Sequence, residues 1–165
     1  DGNIRLYKEN ILLKGFIKEI IEEMQPIAQK TNNTLEFIQQ RDIRVYADRI
    51  QLKRVIKNLI QNAISYGEPN FPIEVSIGEI PQYIVIKVKD YGAGISKTDI
   101  DKIFNKYYSA AKKFRKIGTG LGLYLALQII KSHNGELSVE SEEGNFTEFT
   151  IKLPAVMNIN LHYGE

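Results

Sequence analysis

No cysteine occurs among the 165 residues, which excludes disulfides, thiolate nucleophiles and cysteine-based metal centres. No apolar run approaches the roughly 20 residues that span a bilayer, and the N-terminus carries no signal-peptide pattern, so the chain as it stands reads as soluble. An excess of one charge is also missing. Lys and Arg number 22 against 20 Asp and Glu, and a net charge of +2 gives no general attraction to nucleic acid or to a membrane surface. Any basic signal therefore has to be local. Residues 1–154 contain no internal repeat, low-complexity tract or linker, and the start at Asp1 rather than Met predicts a piece excised from something longer. With 43% hydrophobic and 25% charged residues, the chain suits one well-buried domain over 1–154, with a tail over 155–165 after Pro154.

What is present is organised around Asp48–Gly67, DRIQLKRVIKNLIQNAISYG. At about 100° per residue, Leu52, Val55, Ile56, Leu59, Ile60 and Ala63 fall on one stripe, which predicts an amphipathic helix with that face buried. Asp48 followed by Gln51 is the Asp-x-x-Gln form of a capping box, and Gly67 with Pro69 closes the helix. Asn58 and Asn62 stand one turn apart at the edge of the stripe, with Ser65 and Tyr66 beyond them. A lone buried carboxamide ordinarily bonds neighbouring backbone. Two at i, i+4 also suit a pocket whose ligand carries a hard cation, because neutral carbonyl oxygens bind Mg²⁺. The helix alone leaves both readings open.

Upstream, the pattern predicts a short strand at Ile11–Leu13, a helix over 15–30 kinked or broken at Pro26, and strands at Thr34–Gln40 and Ile43–Tyr46. Downstream the period changes to two. Ile73, Val75 and Ile77, then Ile84, Ile86 and Val88, alternate with polar neighbours and predict an antiparallel hairpin turning near Gly78–Gln82. Gly120–His133 reads as a helix stopped by Asn134-Gly135, and Leu137–Ser141 with Thr147–Leu153 as a last hairpin through Glu142–Asn145. Strands grouped apart from a few helices imply an α/β sandwich, of the α+β kind, with helices on one face of the sheet.

Three further stretches carry chemistry. By the period of two, Asp90 continues the face of Ile84, Ile86 and Val88, so its carboxylate points towards the core and needs a donor. An Asx-turn into Tyr91-Gly92-Ala93-Gly94 supplies one, while a ligand's exocyclic amine supplies another, with Gly92 and Gly94 allowing close backbone approach. Gly118-Thr119-Gly120-Leu121-Gly122-Leu123 precedes a helix and offers amides to an anion, or serves as a hinge. It is neither a P-loop nor a Rossmann fingerprint, since no Lys-Ser/Thr follows and no strand precedes it. Between the two glycine segments, Lys106, Lys112, Lys113, Arg115 and Lys116 occur without an acid among them, either as a solvated loop or as a lid that neutralises phosphates. His133 reads as a cationic partner of a helix C-terminus, His162 lies in the tail, and no Ser-His-Asp order or His/Asp metal cluster stands out.

Taken in order, Asn58-Leu-Ile-Gln-Asn62-Ala63, Asp90-Tyr-Gly92-Ala-Gly94-Ile95, Ile103-Phe104 and Gly118-Thr-Gly120-Leu-Gly122-Leu123 resemble the N, G1, F and G2 boxes of the catalytic ATP-binding domain of sensor histidine kinases. Ser141, Gly144, Thr147, Phe149 and Leu153-Pro154 resemble that family's last hairpin, so the likeness runs from about Ile11 to Pro154. It implies the fold shared with gyrase-type and heat-shock chaperone ATPases: a two-layer sandwich whose mixed, largely antiparallel sheet is backed by helices, with ATP between helices and lid. Carried over residue by residue, Asn62 ligates Mg²⁺, Asn58 helps hold metal and phosphates, and Tyr66 borders the adenine. Asp90 takes the adenine amine beside Gly92, Gly94 and Ile95, and Gly118, Thr119, Gly120, Leu121, Gly122 and Leu123 wrap the triphosphate. Thr147 assists the adenine through water, and Lys106 keeps the basic position after Phe104.

The sequence departs from the family's pattern at Ser65 and Ser109, where phosphate-contacting cations are common, and Lys112, Lys113 and Arg115 are the cations at hand to compensate. Hydrolytic relatives carry Glu at the Asn58 position, and a carboxamide cannot take a proton from water. The implied reaction is therefore transfer of the γ-phosphoryl group to a histidine, with slow hydrolysis. Neither His133 nor His162 has the setting of the family's phosphoacceptor, which places that histidine on a separate dimerisation domain of the same, homodimeric protein. A response regulator receiver domain would take the phosphate onward. The resemblance also implies a cytoplasmic domain that contacts neither nucleic acid nor membrane, its parent free or membrane-anchored. The competing readings are an anti-sigma-type serine kinase, which the missing Glu argues against, and a degenerate nucleotide-binding module that signals by conformation.

Overall fold

The computed structural model describes residues 4–39, 41–106, 108 and 121–156. Among the described residues three helices, α1 (Leu13–Gln29), α2 (Arg49–Tyr66) and α3 (Gly122–Ser132), pack on one face of a five-stranded sheet and bury one continuous core against it. The strands are β1 (Lys8–Leu12), β2 (Thr34–Ile38), β3 (Arg44–Asp48), β4 (Pro72–Ile80), β5 (Tyr83–Asp90), β6 (Glu136–Glu142) and β7 (Phe146–Pro154). Spatial order in the large sheet is β2-β4-β5-β7-β6, with β2 parallel to β4 and the other pairs antiparallel, while β1 and β3 form a separate antiparallel pair. This is the mixed, largely antiparallel sandwich that the sequence implies.

The alternating residues of β4, β5 and β7 point inward as their period requires, with Ile73, Val75, Ile86, Val88, Phe149, Ile151 and Leu153 all buried against the helices. The β4–β5 turn is tighter than the sequence predicts. Gly78 and Glu79 stay in the ladder opposite Val85 and Ile84, and only Pro81 and Gln82 form the turn, with Gln82 at φ 71° as a two-residue turn opened by proline favours.

Two boundaries move for reasons that lie far along the chain. β1 ends at Leu12 and α1 begins at Leu13, two residues before the predicted start, because the first free N–H groups of the helix find acceptors elsewhere. Leu13 N–H donates to the Ile43 carbonyl (2.9 Å) and Lys14 N–H to Asp42 Oδ1 (2.9 Å). Pro26 neither breaks nor ends α1, sitting exposed in its last turn. At the other end of the domain α3 begins at Gly122 rather than Gly120, which lies outside the described residues.

The end of α3 is a Schellman motif. Gly135 N–H bonds the Ile130 carbonyl and Asn134 N–H the Lys131 carbonyl, and the left-handed residue is Asn134 (φ 59°). Gly135 is glycine for a different reason, since a Cβ there would lie 2.4 Å from the Lys152 carbonyl. β7 leads on to Ala155, whose N–H bonds the Gln82 carbonyl, while residues 157–165, with His162, lie outside the described residues.

Candidate functional site

Asp48 sets the start of α2, but only half of the predicted capping box forms. Its Oδ1 accepts from Gln51 N–H (3.0 Å) and its Oδ2 from Tyr7 N–H (2.9 Å), while the Gln51 side chain turns to Arg54. The Asp48 N–H instead donates to Nε2 of His133 (3.0 Å), whose Nδ1 bonds the Ile129 carbonyl (2.8 Å). That pair of partners fixes a neutral, Nδ1-protonated ring. His133 is thus a buried, neutral bridge from the end of α3 to the start of α2, rather than the cationic partner of a helix C-terminus that the sequence suggests. Burial pushes its pKa below 6.5, against the pull of the Ile129 carbonyl. Burial alone would raise the Asp48 carboxyl, but the N–H groups of Tyr7, Gln51 and Ile50 outweigh it and hold the pKa low.

With α2 anchored, Asn58 faces the start of α3. Asn58 Nδ2 reaches the Gly122 carbonyl at 3.4 Å, which leaves its oxygen available. Asn62, one turn on and half-buried, makes no hydrogen bond among the described residues. Tyr66 ends the helix near Tyr108, whose hydroxyl is bonded to Asp99 and whose pKa is raised by burial first and by Asp99 next. Lys106 Nζ lies 5.7 Å from the ring centre of Tyr124 on α3, Phe104 packs edge-on against Phe149 of β7, and Leu123 packs against the core.

Asp90 closes the other side. Its carboxyl is 4% exposed at the end of β5, and Gly92 N–H donates to its Oδ1 at 3.0 Å, which is the Asx-type contact. One backbone donor does not compensate burial, so the pKa rises to about 7. The second oxygen has no hydrogen-bond partner among the described residues. The glycines beside it have reasons internal to the protein. A Cβ on Gly92 would lie 2.5 Å from the Tyr66 carbonyl and 2.6 Å from Gly67 Cα, and one on Gly94 (φ 71°) 2.4 Å from the Glu142 carbonyl. They let the 91–95 loop wedge between the end of α2 and the β6–β7 turn. Directly opposite Asp90 in the β5–β7 register is Thr147, 5% exposed.

Thus the described residues bring Asn58, Asn62, Tyr66, Asp90, Gly92, Gly94, Ile95, Leu121, Gly122, Leu123 and Thr147 to the open end of the sandwich between α2, α3 and β5. Gly118, Thr119 and Gly120, and Ser109, Lys112, Lys113 and Arg115, lie outside the described residues. A groove lined by Glu68, Phe71, Tyr91, Gly92, Ala93, Gly144 and Asn145 meets the site at Gly92 but contains none of Asn58, Asn62 and Asp90.

Two further residues support the site, of which Asn33 was not singled out in the sequence and Ser141 entered only through the resemblance of the last hairpin. Asn33, 2% exposed, donates from Nδ2 to the Glu68 and Phe71 carbonyls (both 2.9 Å) and so ties down the segment after α2. Ser141 bonds both the 91–95 loop and Thr147. Neither has a local signal beyond being a polar residue at a strand end.

The fold and this arrangement of carboxamides, buried carboxyl and helix start define an ATPase class. Residues 47–157 match the family described as histidine kinase-, DNA gyrase B-, and HSP90-like ATPase, and the chain belongs to it. Within that family it is a histidine kinase ATPase domain. It is 33% identical over 153 residues to the sensor histidine kinase WalK of Bacillus subtilis, covering 89% of this chain and 25% of that protein. It is 34% identical over 149 residues to the sensor protein SrrB of Staphylococcus aureus, covering 81% of this chain and 26% of that protein. The chain therefore spans about a quarter of the length of these relatives. Among solved structures, the nucleotide-free catalytic domain of the histidine kinase ThkA superposes with a TM-score of 0.80 at 28% identity, over 91% of this chain and 97% of that one. Full-length ShkA in complex with AMPPNP shares the fold, with a TM-score of 0.84 at 21% identity over 94% of this chain and 33% of that one.

Proposed function

We propose that this domain binds Mg-ATP at the open end of the sandwich and transfers the γ-phosphoryl group to a histidine on a separate dimerisation domain of the same, homodimeric protein. A response regulator receiver domain then accepts the phosphate. The observation that carries this reading is Asn58 of α2 facing the start of α3, with Asn62 one turn on and the second oxygen of buried Asp90 beside the helix end.

Asp90 accepts the adenine amine, Tyr66 and Ile95 border the ring, and Thr147 serves the adenine through water. The amides of 118–123 and the start of α3 receive the phosphates. No group of three or more His, Cys, Asp or Glu suited to a metal gathers among the described residues, whereas the carboxamide oxygens of Asn62 and Asn58 suit Mg²⁺, which keeps waters and phosphate oxygens for the rest of its shell. When bound, the metal offsets charge on the phosphates, as do Lys106 and the basic residues that follow it. Asn58 cannot serve as a base, so water is not activated and hydrolysis by the isolated domain is slow. None of the described helices is long and apolar enough to cross a membrane. The proposal puts the domain in the cytoplasm, its parent free or membrane-anchored, touching neither nucleic acid nor lipid.

Calorimetry of ATP with and without Mg²⁺ tests the site. Micromolar binding is expected, lost in Asp90→Ala and made metal-independent in Asn62→Ala. Incubation with the separately produced histidine domain should then label that domain. Binding unaffected by both substitutions, or rapid hydrolysis without transfer, overturns the proposal.

A further inference from the structure

Ser141 stands outside the nucleotide pocket but is the meeting point of three hydrogen bonds. Its Oγ accepts from Ile95 N–H (2.8 Å), lies 2.7 Å from the Phe146 carbonyl and 3.0 Å from Oγ1 of Thr147. A serine hydroxyl has one proton. The Phe146 carbonyl is only an acceptor, so that proton goes to it, and the contact with Thr147 requires Thr147 to be the donor. The Thr147 hydroxyl therefore spends its own proton on Ser141 and presents only lone pairs to its remaining surroundings.

The carboxyl directly across the β5–β7 pair from this threonine is Asp90. Both residues are buried, at 4% and 5% exposure, so their polar atoms face each other's neighbourhood with little water to compensate. An ionised Asp90 oxygen and an acceptor-only Thr147 form a wall without donors, because a water bridging the two spends both its protons on them. Such a wall suits a group that brings its own protons, as the 6-amino edge of a purine does, and opposes a 6-oxo group.

We infer that Ser141 is a positioning residue that sets purine selectivity by fixing Thr147 as an acceptor. This inference rests on the nucleotide reading of the site given above. Freed from Ser141, the Thr147 hydroxyl can turn and donate to a 6-oxo group, which relaxes selectivity without removing Asp90. The same serine ties Ile95 to the last hairpin, and a second tie runs from Gly144 N–H to the Ala93 carbonyl. A purely structural role through these ties would change all nucleotides alike.

The test is the ratio of dissociation constants for ATP and inosine triphosphate, which differ only at position 6 and the N1 proton of the ring. Wild type should prefer ATP, Ser141→Ala should narrow the ratio by about tenfold, and Ser141→Thr, which keeps a hydroxyl, should restore it. Thr147→Val should narrow the ratio as well, and adding Ser141→Ala to it should change the ratio no further. Parallel weakening of both nucleotides in Ser141→Ala, or additive effects in the double variant, overturns the inference. A wild-type domain that binds neither nucleotide overturns the nucleotide reading itself, and the inference falls with it.

Discussion

Asp90 makes the folded domain bear an ionised carboxylate that its surroundings do not solvate, and Asp90→Asn should relieve this. Burial lifts the carboxyl from 3.8 to about 7 against one opposing bond from Gly92. At about 1.4 kcal/mol for each tenfold change, the ionised group costs the native state about 4 kcal/mol above neutral pH. Asparagine keeps an oxygen for Gly92 N–H but brings an NH₂ that Thr147 satisfies only in part, which returns about 1–3 kcal/mol. The net expectation is a nucleotide-free variant more stable than wild type by about 1–3 kcal/mol near pH 8. The sign with pH follows from the raised native value. Between pH 3.8 and about 7 the native state holds the extra proton, so its contribution is complete at acid pH and lost as pH rises through 7. Urea unfolding followed by circular dichroism at about pH 4.5 and pH 8 should show the variant's advantage only at the higher value. Equal differences at both pH values would refute the reasoning. The same variant should lose ATP affinity, because its NH₂ would face the adenine amine.

His133→Phe leaves the buried Asp48 N–H without an acceptor and should lower stability by about 1–3 kcal/mol in urea unfolding. Because the native His133 pKa lies below 6.5, its contribution is complete above that value and lost as pH falls through the native one, so wild type, and not this variant, should lose stability on acidification from neutral pH. Gly92→Ala drives a Cβ onto the backbone of Tyr66 and Gly67 and should cost about 2–3 kcal/mol, whereas Gly78→Ala, which meets open space, should stay within about 0.5 kcal/mol. Matched denaturation curves check both, and a Gly92→Ala protein as stable as wild type would show that the wedge can shift freely.

The sequence by itself determined the elements whose signal is local. The stripe from Leu52 to Ala63 announced α2 and its buried face, the period of two announced β4 and β5, the Glu142–Asn145 turn announced the hairpin of β6 and β7, and the inward phase of Asp90 followed from its strand. These are consequences of 3.6- and 2-residue repeats and of turn residues, which any stretch displays without its partners. The tertiary structure alone decided which distant groups complete each element. Asp42 and Ile43 start α1, His133 takes the Asp48 N–H that the predicted box assigned to Gln51, and Asn33 holds the segment after α2. The glycines of the 91–95 loop were legible as glycines but not in their reason, which is the backbone of α2 and of the β6–β7 turn pressing from either side. Ser141 was legible as part of the last hairpin, but its partners Ile95 and Thr147 came only with the fold. A hydrogen bond depends on where two groups lie in space, and the register that places Thr147 opposite Asp90 joins residues that the sequence keeps far apart.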